Sequence, residues 1–189
     1  MSVLRPDIKR RILVLVGTDH HPFTRLCDWA DSWSVDHPDD HVLVQHGYTD
    51  APRVARSVEI LTPAQLNEAL ADADVVVTHG GPGTISTVRS GGILPLVIPR
   101  DPSFGEHVDQ HQMRFAAWAG ERGLGTVVFD IDDLGAAVEQ SDTAEHAASD
   151  PGRQIATSTL ALGDQITELL KGRRTRWSLP SLRRASRHD

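Results

Sequence analysis

Short runs of β-branched residues alternate with stretches of helical spacing along most of the chain, and this alternation constrains the fold more than any other feature. It predicts an α/β fold with a parallel sheet, because each strand is followed by a helix before the next strand begins. The predicted strands are residues 11–16, 41–45, 58–61, 74–78, 94–98 and 126–129. The predicted helices are residues 22–33, 62–71, 85–90, 109–122 and 155–171. The expected architecture is a Rossmann-like, doubly wound parallel sheet.

The composition is that of an ordinary folded domain. Apolar residues make up 39% of the 189 residues, which is enough for one sizeable core and far from the composition of disordered chains. Cys27 is the single cysteine, so no disulfide framework forms and a reducing compartment is favoured. Apolar runs are too short to cross a bilayer, and the N-terminus lacks the apolar segment of a signal peptide. We expect a cytoplasmic domain at residues 1–171 with a loop at 139–152, followed by a basic, flexible tail at 172–189.

The net charge of −7 is unevenly distributed. Residues 171–189 carry seven basic side chains against Asp189 alone, a local balance of +6 that leaves −13 on the other 170 residues. An acidic body argues against nucleic acid as the main partner, because binding phosphate backbones requires a basic face. The tail either contacts an anionic membrane surface or an acidic partner, or is a solvated terminus.

Three segments of unusual composition follow predicted strands, at residues 17–21, 78–84 and 99–112. Ligands of open parallel sheets bind outside the carboxyl ends of strands, near a topological switch point. Within the second segment, Gly80, Gly81 and Gly83 let the backbone approach a ligand closely. A helix starting near Thr84 would direct free N–H groups at an anion such as a diphosphate. The segment is neither a Walker A loop nor a GxGxxG fingerprint, and a tight turn without a ligand is the alternative.

Ten histidines make a metal site worth considering. His107 and His111 are four residues apart and could share one helix face, but there is no HExxH motif or further ligand at diagnostic spacing. We therefore expect neither a metal nor a cofactor. His111 and Gln112 are better suited to hydrogen-bond sugar hydroxyl groups. Gly17 and Thr18 offer a second phosphate cradle after the first strand, and His20 and His21 beside them are candidates for local acid–base catalysis.

Four motifs together resemble the glycosyltransferase family 28 C-terminal domain, over roughly residues 11–123. They are His79-Gly80-Gly81-Pro82-Gly83-Thr84, Pro99-Arg100, Gly105-Glu106-His107 and Asp109-Gln110-His111-Gln112. The likeness is greatest to the short subunits of split bacterial exopolysaccharide glycosyltransferases, which are related to the catalytic subunit of the eukaryotic dolichol-linked N-acetylglucosaminyltransferase.

The resemblance implies the C-terminal half of a GT-B enzyme, which is built from two Rossmann-like halves. That half holds a nucleotide sugar, usually a UDP-sugar, whereas the other half holds the acceptor, commonly a lipid-linked sugar. By the same resemblance, the diphosphate lies against Gly81, Gly83 and Thr84, and the donor sugar against Asp109, His111 and Gln112. The remaining substrate-binding residues are Gly17, Thr18, His79, Gly80, Arg100, Glu106 and His107. Thr87 stands where many relatives have a ribose-binding Glu, which puts ribose recognition and nucleotide identity in question.

The leading hypothesis is the donor-binding, catalytic subunit of a two-chain hexosyltransferase in polysaccharide synthesis. It would use a donor such as UDP-GlcNAc and act only with a membrane-anchored acceptor-binding subunit, because 189 residues have room for one half of roughly 150–200 residues. Such a partner would bring the chain to the inner face of the membrane, docked through residues 155–171 and the tail. A non-catalytic nucleotide-sugar-binding or scaffold protein, which Thr87 favours, is the alternative. A hydrolase or epimerase would need an acid–base pair that the sequence does not reveal.

Overall fold

The computed structural model describes residues 9–141, which form an open six-stranded parallel sheet. The strand order is β3-β2-β1-β4-β5-β6, and every neighbouring pair is parallel. This is the order of a Rossmann fold, so the predicted fold class is confirmed. The strands are β1 (Arg10–Leu15), β2 (Asp40–Gln45), β3 (Arg56–Val58), β4 (Val75–Thr78), β5 (Leu96–Val97) and β6 (Thr126–Val127).

Helices cover both faces of the sheet. They are α1 (Thr24–Asp36), α2 (Pro63–Asp72), α3 (Pro82–Ser90), α4 (His111–Glu121) and α5 (Leu134–Ser141), with 3-10 turns at Pro102–Phe104 and Ile131–Asp133. The central strand β1 supplies both cores, because successive side chains point to opposite faces. Ile12 and Val14 pack against α1 and α5, whereas Leu13 and Leu15 pack against α2 and α3. A strand buried on both faces explains the unbroken apolar run that predicted it.

Several element boundaries differ from the sequence predictions. Strand β3 begins two residues before the predicted 58–61, and α3 begins at Pro82 rather than at Ile85. The predicted loop at 139–152 begins inside α5, which the sequence pattern did not reveal. The predicted helix at 155–171 and the basic tail lie outside the described residues.

None of the helices within residues 9–141 is long and apolar enough to cross a membrane.

Candidate functional site

The three segments singled out in the sequence come together at the carboxyl ends of β1, β4 and β5. After β1 the chain builds β2 and β3 on one side and then crosses to β4 on the other. The crevice above β1 and β4 is therefore a topological switch point, where ligands of such sheets bind. The loop after β1, the glycine turn after β4 and the segment from Pro99 into α4 border this crevice.

The glycine turn delivers a helix start into the crevice. Gly80 has a positive φ of 84°, and Gly81 is the N-cap of α3, with Pro82 at the first helical position. Ile85 donates its N–H to the Gly81 carbonyl, so the N–H groups of Gly83 and Thr84 precede the first bond of the helix. A Cβ added at Gly83 would meet nothing within 4 Å. The backbone here is open to a ligand, and unpaired first-turn amides favour an anion.

His79 lies buried beneath the crevice. A Cβ at Gly17 would lie 2.6 Å from the His79 ring, and one at Gly81 would lie closer still. Gly17 also has a φ of +88°, so both glycines are required by close packing on the imidazole. The ring Nδ1 lies 3.3 Å from the Leu15 carbonyl oxygen. Burial lowers the pKa of His79 to about 4, which keeps the imidazole neutral.

Arg100 is buried beneath the crevice and holds its loops together. Its guanidinium donates to the carbonyl oxygens of Val16 at 3.0 Å, of Glu106 at 3.2 Å and of His21. It also lies 5.0 Å from the centroid of the Phe23 ring. The resemblance implied donor contact for Arg100, but a fully buried side chain engaged with three carbonyls positions the site from below instead.

Glu106 is likewise buried, and its carboxylate links two parts of the chain. It accepts hydrogen bonds from Arg25, Nε to Oε1 at 2.7 Å and Nη2 to Oε2 at 3.1 Å. It also accepts one from the Asp101 N–H at 2.8 Å, and Arg25 donates further to the Pro99 carbonyl at 2.9 Å. With its oxygens occupied, Glu106 ties the loop after β5 to α1 and is not placed to contact a donor. Arg25 was not singled out as a site residue, because its partner lies 81 positions away.

Asp19 organises the loop after β1. One carboxylate oxygen accepts from the His21 N–H at 2.8 Å and lies 2.6 Å from its Nδ1. Burial alone would raise the pKa of Asp19, but these hydrogen bonds and the charge of Arg100 bring it below its usual value. His20 is exposed and its ring lies 4.1 Å from that of His21. His107 Nε2, from the loop after β5, lies 3.9 Å from Asp19 Oδ2.

The residues expected to meet the donor sugar lie at the start of α4. Asp109 accepts from the His111 N–H at 2.8 Å and contacts its ring Nδ1. The hydrogen bond from the His111 backbone is the main reason that the pKa of Asp109 lies below its usual value, although partial desolvation opposes it. Gln112 Oε1 is buried without a hydrogen-bond partner among the described residues. An orphaned buried amide oxygen is costly, which makes it the member of this group that most needs a ligand donor.

The two threonines of α3 differ in exposure and in hydrogen bonding. Thr84 is half-buried in the first turn, whereas Thr87 is exposed and its hydroxyl donates to the Gly83 carbonyl at 3.0 Å. A hydroxyl has one proton, so Thr87 in this conformation has only acceptor capacity left for a ribose. Gly17 and exposed Thr18 border the opposite side, after β1.

A parallel sheet in Rossmann order, with an open helix N-terminus at its switch point, defines a Rossmann-like domain. The chain belongs to a particular family within that class, the glycosyltransferase family 28 C-terminal domain, whose family model matches residues 11–165. A comparison with curated protein sequences gives no match.

Solved structures of glycosyltransferases share the fold. The glycotransferase of kitacinnamycin is 21% identical with a TM-score of 0.59, and the alignment covers 89% of this chain and 44% of that protein. The calicheamicin glycosyltransferase CalG4 is 19% identical with a TM-score of 0.58, over 92% of this chain and 44% of that one. The spinosyn forosaminyltransferase SpnP is 19% identical with a TM-score of 0.54, over 88% and 44%. The chain thus spans less than half the length of each, and the likeness is one of fold.

Proposed function

We propose that this domain binds a nucleotide-sugar donor, with the diphosphate at the first turn of α3. The observation that carries the proposal is the open backbone at Gly83 together with the free N–H groups of Gly83 and Thr84 at the switch point. Gly81 supports the turn from its packing on His79. The sugar would lie toward Asp109, His111 and Gln112, where the orphaned Gln112 oxygen can accept from a hydroxyl group.

The reaction proposed is transfer of a hexose-type sugar from this donor. The acceptor oxygen forms a bond to the anomeric carbon, the bond from that carbon to the diphosphate breaks, and the acceptor proton passes to a base. First-turn amides stabilise the charge that develops on the leaving diphosphate, so the transfer requires neither a metal nor a cofactor. The base comes from the acceptor-binding half, or from His20 or His21 beside the crevice.

We further propose that the chain is one subunit of a two-chain enzyme of exopolysaccharide synthesis. A UDP-sugar such as UDP-GlcNAc is the proposed donor, and a lipid-linked sugar the proposed acceptor. The described sheet is one Rossmann-like half, and the chain covers 44% of the glycosyltransferases whose fold it shares. A membrane-anchored partner would supply the other half and hold this cytoplasmic chain at the inner face of the membrane.

Donor binding is tested by replacing Gly83 with Val. Because a Cβ added at this position meets no protein atom within 4 Å, the variant should fold and yet occupy the space that the diphosphate needs. Titration calorimetry with UDP and UDP-GlcNAc should show binding to the wild type and none to Gly83→Val. Ser90→Val, in the last turn of the same helix, is the control for a β-branched residue and should bind normally. Equal affinity in both variants would contradict this location of the diphosphate.

A non-catalytic nucleotide-sugar-binding or scaffold protein is the second candidate function, and Thr87 favours it. With the Thr87 proton donated to Gly83, ribose recognition is weaker than a carboxylate would provide. The two candidates differ in turnover. Both predict donor binding, but only the enzyme predicts transfer when the acceptor-binding partner is added.

A further inference from the structure

Three imidazoles and one carboxylate gather beside the crevice, on two loops distant in sequence. They belong to Asp19, His20, His21 and His107, here called the Asp19 cluster. The ligand atoms of Asp19, His20 and His21 all lie within 4.8 Å of one another. His107 Nε2 approaches the second carboxylate oxygen of Asp19 to 3.9 Å, and its ring centroid lies 5.9 Å from that of His21.

The two loops that carry the cluster are fixed from below by buried groups. The Arg100 guanidinium donates both to the carbonyl of His21 and to the carbonyl of Glu106, the residue before His107. Arg25 and Glu106 add a second buried link. The backbone positions of His21 and His107 are therefore set by the protein itself, which lowers the entropic cost of gathering these side chains around a ligand.

The His107 ring has a tautomer that suits a metal ligand. Its Nδ1 lies 3.2 Å from the Asp109 carbonyl oxygen and 3.3 Å from the Asp109 backbone nitrogen. In the tautomer that donates to the carbonyl, Nε2 on the Asp19 side carries no proton and can bind an ion. Histidines that bind metals almost always donate their other ring N–H to a carbonyl or carboxylate in this way. The spacing of His107 and His111 suggested a shared helix face, but His107 precedes α4, and its Nε2 faces the loop after β1 instead.

We propose that the Asp19 cluster binds one divalent transition metal ion of the zinc class. Imidazole nitrogens and a carboxylate oxygen are ligands that such ions accept, and four of them complete a tetrahedral shell. In that shell neighbouring ligand atoms are about 3.3 Å apart, since each lies about 2 Å from the metal. The distances from the Asp19 carboxylate to the three histidines run from 2.6 to 3.9 Å, which brackets this spacing, and closing the shell requires the His20 and His107 rings to turn toward the ion. Exposed His20 has the freedom for that rotation.

The ion would be separate from the proposed diphosphate site, and with His20 and His21 bound to it the base of the transfer would come from the acceptor-binding half. Its ligands come from the loops after β1 and β5, whereas the proposed diphosphate site is the first turn of α3. Metal binding can therefore be measured with no nucleotide present. A failed metal titration would leave the proposed donor site standing, and a failed nucleotide titration would leave the metal site standing.

The test is a titration of the full chain, free of a histidine tag, with Zn²⁺ by calorimetry and with Co²⁺ by visible absorption. We expect one saturable equivalent of Zn²⁺ and the intense visible bands of tetrahedral Co²⁺. Asp19→Asn, His21→Ala and His107→Ala should each weaken binding by more than about tenfold, the lower end of what loss of an outer-shell partner costs. His41→Ala, at an exposed position of β2, should bind as the wild type does.

Two results would overturn the proposal. One is the absence of a saturable equivalent, or a Co²⁺ spectrum that stays that of the hydrated ion. The other is binding by His21→Ala and His107→Ala that equals binding by the wild type, which would mean adventitious binding to other histidines. Circular dichroism of each variant verifies the fold. If His107→Ala fails to fold, His107→Gln, which keeps a polar side chain of similar reach, takes its place.

Discussion

At the scale of single residues, His79 shows how the site depends on a neutral group. Its ring fills the space between Gly17 and Gly81 and lies under the glycine turn. A protonated imidazole there would place a buried charge with little solvation beside Arg100, which already disfavours that charge. The geometry of the proposed diphosphate site therefore depends on His79 remaining uncharged.

Because His79 is neutral in the folded protein, the free energy of unfolding depends on pH. The pKa of His79 is about 4 in the folded protein and about 6.5 in the unfolded chain. Between these values the unfolded state binds more protons, so the free energy of unfolding decreases as the pH falls, by about 3 kcal/mol in total. The contribution is fully present above about pH 6.5. Urea denaturation of the wild type from pH 8 to 4 should show the loss, and His79→Gln should show a shallower dependence.

An NMR titration of the histidine ring protons is the independent check. A His79 resonance that titrates near the ordinary value for histidine would contradict the buried, neutral assignment. His41→Gln, an exposed substitution on β2, controls for the loss of one histidine elsewhere and should keep the pH dependence of the wild type.

The sequence could identify which residues gather at the site but not which of them face a ligand. Gly83, Arg100 and Gln112 lie on segments that follow the neighbouring strands β4 and β5. Arg100 faces inward because its acceptors are carbonyls of residues 16, 21 and 106, and no local pattern reports such partners. Asp19 shares its loop with His20 and His21, and an Asp in a turn commonly accepts from the backbone N–H two residues on, which could have identified it.

At the scale of elements, the buried Arg25–Glu106 pair links α1 to the loop between β5 and α4. Arg25→Met removes the cation that is hydrogen-bonded to the buried Glu106 carboxylate, and this should lower the free energy of unfolding by about 3–5 kcal/mol. Arg122→Met is the matched control, because the Arg122–Glu121 pair is exposed at 3.8 Å and such pairs contribute at most about 1 kcal/mol. Chemical denaturation of the two variants measures the difference.

A double variant tests whether the loss of stability comes from the unpaired Glu106 carboxylate. Because Arg25→Met/Glu106→Leu removes both charges, it should recover part of the stability lost in Arg25→Met. No recovery, or a cost of Arg25→Met no larger than that of Arg122→Met, would show that the pair does not stabilise the loop.

Elements with a strong local signal were predicted closely, and elements defined by distant contacts were not. Helix α2 follows its capping box, in which Thr62 and Gln65 satisfy each other's backbone N–H groups. The strand β3 has little apolar patterning, and Ile60, which suggested a later strand, is 52% exposed. Helix α5 buries only Leu134 and Val138, and its Gly135 packs closely on Trp33. Contact with a residue 102 positions away cannot be recognised in a local pattern.

At the scale of the whole molecule, the described residues supply one Rossmann-like sheet. The match to family 28 covers residues 11–165, and in the described part of the chain those residues form a single sheet with one switch point. Under the proposed function, donor binding and sugar transfer are separable, because the donor-binding residues lie in this chain and the acceptor-binding surface lies in another.

The last prediction follows from that separation. Purified alone, the full chain should bind UDP-GlcNAc but transfer little or no sugar to a lipid-linked acceptor in detergent micelles, since no second surface holds the acceptor hydroxyl near the anomeric carbon. Co-purification with a short membrane-anchored protein encoded beside it should restore transfer of radiolabelled sugar. Gly83→Val in that reconstituted pair should abolish the transfer, which assigns the donor site to this chain. Robust transfer by the isolated chain would refute the two-chain arrangement while leaving the donor site intact.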